Sequence, residues 1–253
     1  MRTQHLLHLL LALSIASTPA FAADAPVAAA HAKARDSILV YTGTLGWRHD
    51  SIPQAVATLR ELAPQAGLAL VHSEDPAMFE PASLARFKLV VFANTTGPVL
   101  APAHRAAFQR YLANGGAFMG VHSAADTGKD WPWYGELVGA WFHKHPPGLQ
   151  STRVRFEAGR GPQGMVHWQV TDELYNYTRN PRNAVDVIAT VDEAGYSGGT
   201  MGADHPIAWC HSGNGGRAWY TGLGHDPALY ADPVFRAHLL RGLRWASGQA
   251  DVC

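Results

Sequence analysis

The chain has 253 residues and balances 20 basic against 20 acidic side chains, with 14 histidines besides. No basic run is present, which argues against nucleic acid as a partner. Eight Trp and eight Tyr instead suit a neutral polar ligand such as a sugar, whose ring packs on aromatic faces. Of the two cysteines, Cys210 and Cys253, neither follows a glycine turn, so an amidotransferase with a cysteine nucleophile is excluded.

At the amino end, Arg2, an apolar run over residues 6–15 and the Ala20-Phe21-Ala22 step predict a secretory signal cleaved near Ala22. The run falls short of the about 20 apolar residues a membrane-spanning helix needs. The mature protein is therefore expected in the periplasm or outside the cell, with no membrane span. Residues 23–36, rich in Ala and Pro, predict a flexible lead-in. Residues 37–250 predict one domain without internal repeats. An oxidising compartment allows Cys210 and Cys253 to pair, but spacing alone does not fix the geometry.

Ile38-Leu39-Val40-Tyr41 predicts a buried strand, and the spacing of Val56, Leu59, Leu62 and Ala63 a helix over 53–66. Leu68-Ala69-Leu70-Val71 and Leu89-Val90-Val91-Phe92 predict the next strands, with a short helical turn at 82–86 between them. A helix over 103–113 ends in Asn114-Gly115-Gly116 as its C-cap, and a fourth strand follows at 117–121. Further strands are expected at 153–156, 186–191, 207–210 and 218–221, before an amphipathic helix over 234–245. Continuous apolar strands alternating with helices predict an α/β fold built on a mostly parallel sheet, with helices on both faces.

The fourth strand ends in Gly120-Val121-His122-Ser123. Such a turn is where a nucleophile elbow presents serine or cysteine. Imidazole at that point suggests metal ligation or acid–base work instead. Open parallel sheets bind ligands at the carboxyl ends of their strands. His49 follows the first strand, Asn94-Thr95-Thr96-Gly97 the third, His122 the fourth, and His225 the strand ending at Thr221. His143 and His145 lie two apart, which in an extended segment turns both to one side, and His205 precedes a strand. A divalent metal ion of unspecified identity is thus expected on His49, His122 and His225, with His143, His145 and His205 as further candidates. The same groups without metal would act as acids and bases. Asp50, Asp126, Asp204 and Asp226 stand close enough in sequence to hold a ligand's second nitrogen. Trp131 and Tyr134 are expected to wall a sugar pocket, with Thr95, Asp204 and Glu173 touching substrate. Asp172 and Glu173 read as the solvated first turn of a helix, Glu173 being the better candidate for a role.

Taken together, several segments resemble the ThuA-like (trehalose-utilisation) family over about residues 38–248. They are Gly120-Val121-His122-Ser123-Ala124-Ala125-Asp126, Trp131-Pro132-Trp133-Tyr134, Asp172-Glu173-Leu174-Tyr175 and Asp204-His205-Pro206-Ile207-Ala208-Trp209. Tyr220-Thr221-Gly222-Leu223-Gly224-His225 and Gly242-Leu243-Arg244-Trp245-Ala246 belong to the same pattern. The resemblance implies a flavodoxin-like, class I glutamine amidotransferase-like fold, with His122 where amidotransferases carry their cysteine. It also implies a link to sugar catabolism, in particular to disaccharides oxidised at carbon 3 of a glucose ring. A 3-keto group acidifies the proton on carbon 2, so the leading expectation is a metal-assisted lyase or hydrolase of 3-keto-glycosides. His122, His49, His225 and Asp126 would carry its chemistry. The alternative is a non-catalytic periplasmic carbohydrate-binding or accessory protein, since neither a nucleophile nor a paired-carboxylate glycosidase site is evident.

Overall fold

A computed structural model of the chain describes Met1 and residues 37–213 and 215–253. The expected signal segment, beyond Met1, and the expected lead-in lie outside the described residues. The first half alternates β1 (Ser37–Tyr41), α1 (Ile52–Leu62), β2 (Ala69–Ser73), α2 (Pro81–Leu84), β3 (Phe87–Ala93), α3 (Pro102–Ala113) and β4 (Ala117–Val121). The second half holds α4 (Pro132–Val138), β5 (Phe142–Lys144), β6 (Gln150–Phe156), β7 (His167–Asp172), β8 (Asn176–Tyr177) and β9 (Asp186–Val191). It closes with β10 (Pro206–Gly213), β11 (Gly216–Thr221) and α5 (Pro233–Ala246).

One sheet runs in the order β2-β1-β3-β4-β11-β10-β9-β6-β7, while β5 pairs with β8 apart from it. From β2 to β11 all neighbours are parallel. With β11 as its fifth strand, this part has the flavodoxin-like order. The remaining strands extend the sheet in antiparallel fashion. Every residue of β4 is buried, and nearly every one of β1 and β3, because their apolar runs have a covered face on either side. Phe118 of β4 meets Phe108 of α3 and Tyr134 of α4. Trp219, on the neighbouring β11, points the other way and meets His238 of α5. At that crossing only glycine fits: a Cβ on Gly242 would lie 2.8 Å from the Trp219 ring. Asp232 caps α5 by accepting the Val234 and Phe235 N–H groups at 2.7 and 3.1 Å, and Pro233 starts its first turn.

Strand β7 and the short β5 and β8 were not among the expected strands. In β7, His167-Trp168-Gln169-Val170-Thr171-Asp172 alternates exposed and buried, the signature of a sheet with one wet face. Trp131-Pro132-Trp133-Tyr134 opens helix α4 and is no loop wall. Cys210 is bonded to Cys253, tying the chain end to β10 across 43 residues. A loop of that length gives a chain-entropy stabilisation of about 4 kcal/mol. Among the described residues no helix is long and apolar enough to cross a membrane.

Candidate metal centre

The loops leaving β1, β3, β4 and β11 all emerge at the carboxyl edge of the parallel strands, and two of them are tightly braced. His122 follows β4 directly, in the left-handed region at φ 50°. This is an uncommon state for a side chain this size, and surrounding contacts impose it. The Tyr220 hydroxyl donates to the His122 carbonyl at 2.9 Å, and His122 Nδ1 lies 2.8 Å from the Gly222 carbonyl. A carbonyl only accepts, so Nδ1 carries a proton, and Nε2 is the nitrogen that faces the other members of the cluster.

His225 is fixed by its neighbours. Asp172, fully buried at the end of β7, accepts the N–H groups of Gly224 at 2.6 Å and Asp226 at 2.8 Å. Burial pushes the Asp172 carboxyl upward, against the pull of His122 and of these amides. The Gly224 carbonyl accepts from Ser51 Oγ and Tyr230 Oη, both at 3.0 Å, and from Asn94 Nδ2 at 3.3 Å. With φ at 121° and Tyr230 Oη 2.7 Å from where a Cβ would stand, position 224 admits only glycine.

His49, His122, Glu173 and His225 each bring one ligand-type atom into a group whose members all lie within 4.8 Å of one another. His225 Nδ1 is 3.3 Å from His122 Nε2 and 3.2 Å from Glu173 Oε2, which itself is 3.5 Å from His122 Nε2. The His49 ring stands edge-on to those of His122 and His225 at 4.8 and 5.2 Å, with Ser123 Oγ 3.3 Å from its Nδ1. Burial, reinforced by the neighbouring imidazoles, pushes His49 down to about 3, so it is neutral. Burial alone would raise Glu173, but its contacts with His122 and His225 outweigh that and hold it below the usual carboxylate range. The Glu173 contact in turn raises His225.

This donor set fits a divalent cation. Two metal–ligand bonds of about 2.1 Å at a tetrahedral angle span about 3.4 Å, close to the 3.3, 3.2 and 3.5 Å between His225 Nδ1, His122 Nε2 and Glu173 Oε2. Neutral imidazoles with one carboxylate and no thiolate suit zinc, manganese, iron or nickel. Without a cation, one proton on His225 Nδ1 would have to serve both Glu173 and His122.

His49, Glu173 and His225 line a cleft of about 330 Å³ together with Trp47, Phe142, Tyr175, Asp126 and His145, while His122 is buried beside them. His145 Nδ1 lies 3.2 Å from Glu173 Oε1 and 2.7 Å from the Pro146 carbonyl. Asp126 is paired with Lys129 at 2.6 Å. Tyr175 lies on the His122 ring at 4.3 Å and Phe142 on Tyr175 at 4.1 Å.

Other expected site residues stand elsewhere. Trp131 and Tyr134 stack on each other in the core, and the Tyr134 hydroxyl donates to the Ala124 carbonyl. Packing against Phe108 and Phe118 claims them, and the cleft takes its aromatic walls from Trp47, Phe142 and Tyr175. His143 is exposed outside the cluster: β5 stops at Lys144, so the two-residue alternation does not carry from His143 to His145. His205 is buried against Glu193 and the Tyr175 carbonyl. Asp204 sits at the surface in a two-pronged pair with Arg182, and Thr95 bonds Thr127 inside the fold. Asp172 ends strand β7, Glu173 follows it, and both are buried, which corrects the solvated helix turn expected for them. The role of Asp172 was missed, as were Trp47 and Phe142. Trp47 stands two residues before His49, a nearness in sequence that could have flagged it.

A larger open depression of about 650 Å³ holds no histidine or carboxylate. It includes the amino-terminal ends of β4 and β11, away from the cluster. Its Arg217 is already bonded to the Trp245 and Ala250 carbonyls. The cleft at the carboxyl edge is therefore the candidate site.

The fold is shared with a protein described as ThuA-like from Bacteroides uniformis, at 24% identity and TM-score 0.72, covering 91% of this chain and 95% of that one. A ThuA-like protein from Parabacteroides merdae aligns at 19% identity and TM-score 0.67, over 84% of this chain and 90% of its own. A β-galactosidase from Bacillus circulans sp. alkalophilus contains a similar fold within 31% of its length, at 14% identity and TM-score 0.54, matching 84% of this chain. At these identities the likeness is one of fold. No curated protein matches the sequence. Residues 37–246, nearly the whole described domain, match the family ThuA, described as trehalose utilisation. The chain belongs to the ThuA family.

Proposed function

We propose that this is an exported enzyme that cleaves glycosides oxidised at carbon 3 of a glucose ring, assisted by a divalent cation. The observation that carries the reading is the convergence of His49, His122, Glu173 and His225, three of which (His49, Glu173 and His225) line an aromatic cleft. The family's link to trehalose utilisation supports a sugar substrate. Export is supported by the amino-terminal signal pattern and by the Cys210–Cys253 bond, a linkage that persists in oxidising compartments.

The reaction is an elimination. A base removes the proton from carbon 2, the electron pair forms the bond between carbons 1 and 2, and the glycosidic oxygen leaves carbon 1 and is protonated. The products are an unsaturated 3-keto sugar and a free alcohol; water added across the new double bond completes a net hydrolysis. A cation held by His49, His122, Glu173 and His225 would supply a Lewis acid for the ketone oxygen and its developing negative charge. Asp126 and His145 line the same cleft, one as the base at carbon 2 and the other as the acid at the leaving oxygen. Glu173 Oε1 and the Pro146 carbonyl engage His145 Nδ1, which leaves Nε2 for the cleft. Phe142 and Tyr175 wall the oxidised ring and exclude water from its apolar face.

A metal-free sugar-binding protein is the rival, favoured by the one-proton arrangement that His225, Glu173 and His122 can adopt. Metal analysis of the mature chain, purified without a histidine tag, together with turnover of 3-keto-trehalose, separates the two. The expected result is about one equivalent of a transition metal and release of glucose. No bound metal after incubation with zinc, manganese, nickel and iron, and no turnover, would leave the binding role.

A further inference from the structure

Trp47 is 73% exposed, yet it borders the cleft two residues before a member of the cluster. Two residues of chain span at most about 7 Å between Cα atoms, roughly the scale of one sugar ring. The other cleft aromatics are stacked: Phe142 on Tyr175 at 4.1 Å, and Tyr175 on His122 at 4.3 Å. Among the described residues Trp47 has no ring contact of this kind.

Its loop is nevertheless held firmly. Leu45 N–H donates to the Thr96 carbonyl at 2.9 Å, Gly46 N–H to Thr96 Oγ1 at 3.3 Å, and Thr96 Oγ1 to the Trp47 carbonyl at 2.8 Å. Next along, Arg48 grips Glu74 with both guanidinium nitrogens. An exposed indole on an anchored loop, with no ring stacked on it among the described residues, is a surface prepared for a ligand. We infer that Trp47 is an outer sugar platform. It takes the leaving-group ring of a two-ring glycoside while the oxidised ring lies at the cluster. This rests on the elimination reading above.

The sizes agree with that division. A cleft of about 330 Å³ is at the low end of small-ligand pockets, the scale of one or two sugar rings, and Trp47 is the most exposed of its aromatic side chains, at the mouth. The occupant is a sugar and not another protein. Leu45 and Trp47 form an exposed patch of only two large apolar side chains, whereas a stable interface needs about 800 Å² on each partner. A sugar ring offers a C–H face to the indole and hydroxyls to the polar rim of Asp126 and His145.

The test compares wild type with Trp47→Ala and Trp47→Phe on 3-keto-trehalose and on methyl 3-keto-α-glucoside, which has no second ring. Calorimetry of unoxidised trehalose and methyl α-glucoside gives a reading independent of turnover. Trp47→Ala should raise KM for the disaccharide about tenfold with kcat little changed, and leave the methyl glycoside unaffected. Trp47→Phe should recover most of the loss. Equal effects on both substrates, or none, overturn the platform. If wild type turns over neither keto-sugar, the elimination reading fails and binding decides alone. A preference for trehalose over methyl α-glucoside that Trp47→Ala abolishes then sustains the platform; no preference, or one the variant keeps, overturns it. Self-association lost in Trp47→Ala with sugar binding unchanged also overturns it.

Discussion

His205 and His122 are both fully buried and both face a glutamate, yet the two sites differ in what is left over. At His205 every polar atom is spoken for. Nδ1 meets Glu193 Oε1 at 2.8 Å and Tyr196 Oη at 3.2 Å, and Nε2 meets the Tyr175 carbonyl at 2.8 Å. Glu193 in turn accepts the N–H groups of Met201 and Gly202. That network is closed, and its consequence is structural: it fixes the segment that carries Tyr175. At His122 only Nδ1 is settled, while Nε2 converges with His225 Nδ1 and Glu173 Oε2. Three atoms able to offer lone pairs converge there, and they leave room for a cation. Burial beside a carboxylate therefore does not mark a functional histidine; the unspent lone pair does.

The largest effect expected from this contrast is at His122. Asparagine tolerates the left-handed backbone that position requires. His122→Asn should lose the bound metal and about 10³-fold of turnover. The lost buried hydrogen bond would cost about 1–3 kcal/mol of stability. Metal analysis and thermal unfolding of the same sample read both quantities. Full activity with the metal retained would remove His122 from the mechanism. One step outward, Asp172→Asn replaces one of the oxygens that hold Gly224 and Asp226 on either side of His225. A 10- to 100-fold weaker metal affinity is expected, about the usual effect of losing a residue that orients a ligand. An unchanged affinity would show that Ser51, Asn94 and Tyr230 suffice to position the loop.

His205→Gln, by contrast, should lower stability by about 1–3 kcal/mol while metal per folded molecule stays the same. Loss of metal in that variant, at a temperature where it is folded, would erase the distinction between the two sites.

The parallel half and its edge were legible because strand ends obey a geometric rule. His49, His122 and His225 could be set on one edge from chain order alone, and the structure brings them together. Glu173 was noticed only as the neighbour of Asp172, since nothing local tells a buried strand end from a helix start. The aromatic walls could not be read in the same way. Trp131 and Tyr134 had the right composition near the right turn, but the helix they open turns them into the core. Trp47 reaches the cleft from a loop and Phe142 from the non-local β5–β8 pairing, geometry that no periodicity encodes. Strands β7 and β5 escaped a search for continuous apolar runs, because one alternates with water and the other has three residues.

A third buried histidine offers the smallest and sharpest test. His238 lies among Trp219, Phe156 and Phe235, its Nε2 unpartnered and, among the described residues, no carboxylate acting on it. Burial, with the Arg241 charge adding to it, pushes it from 6.5 down to about 3. Between those values the unfolded chain takes up a proton that the folded chain refuses, so stability falls as pH falls. From pH 7 to 5.5 the loss from this one group is about 1 kcal/mol. His49 and His205 have lowered values too and contribute to the acid slope of wild type, so the informative quantity is a difference between proteins. In His238→Leu the group is gone, while the other terms are common to both. Urea unfolding at the two pH values should therefore show the variant gaining about 1 kcal/mol relative to wild type at pH 5.5. Parallel slopes would mean that His238 finds a proton acceptor inside the fold, and that burial without a carboxylate does not by itself keep an imidazole neutral here.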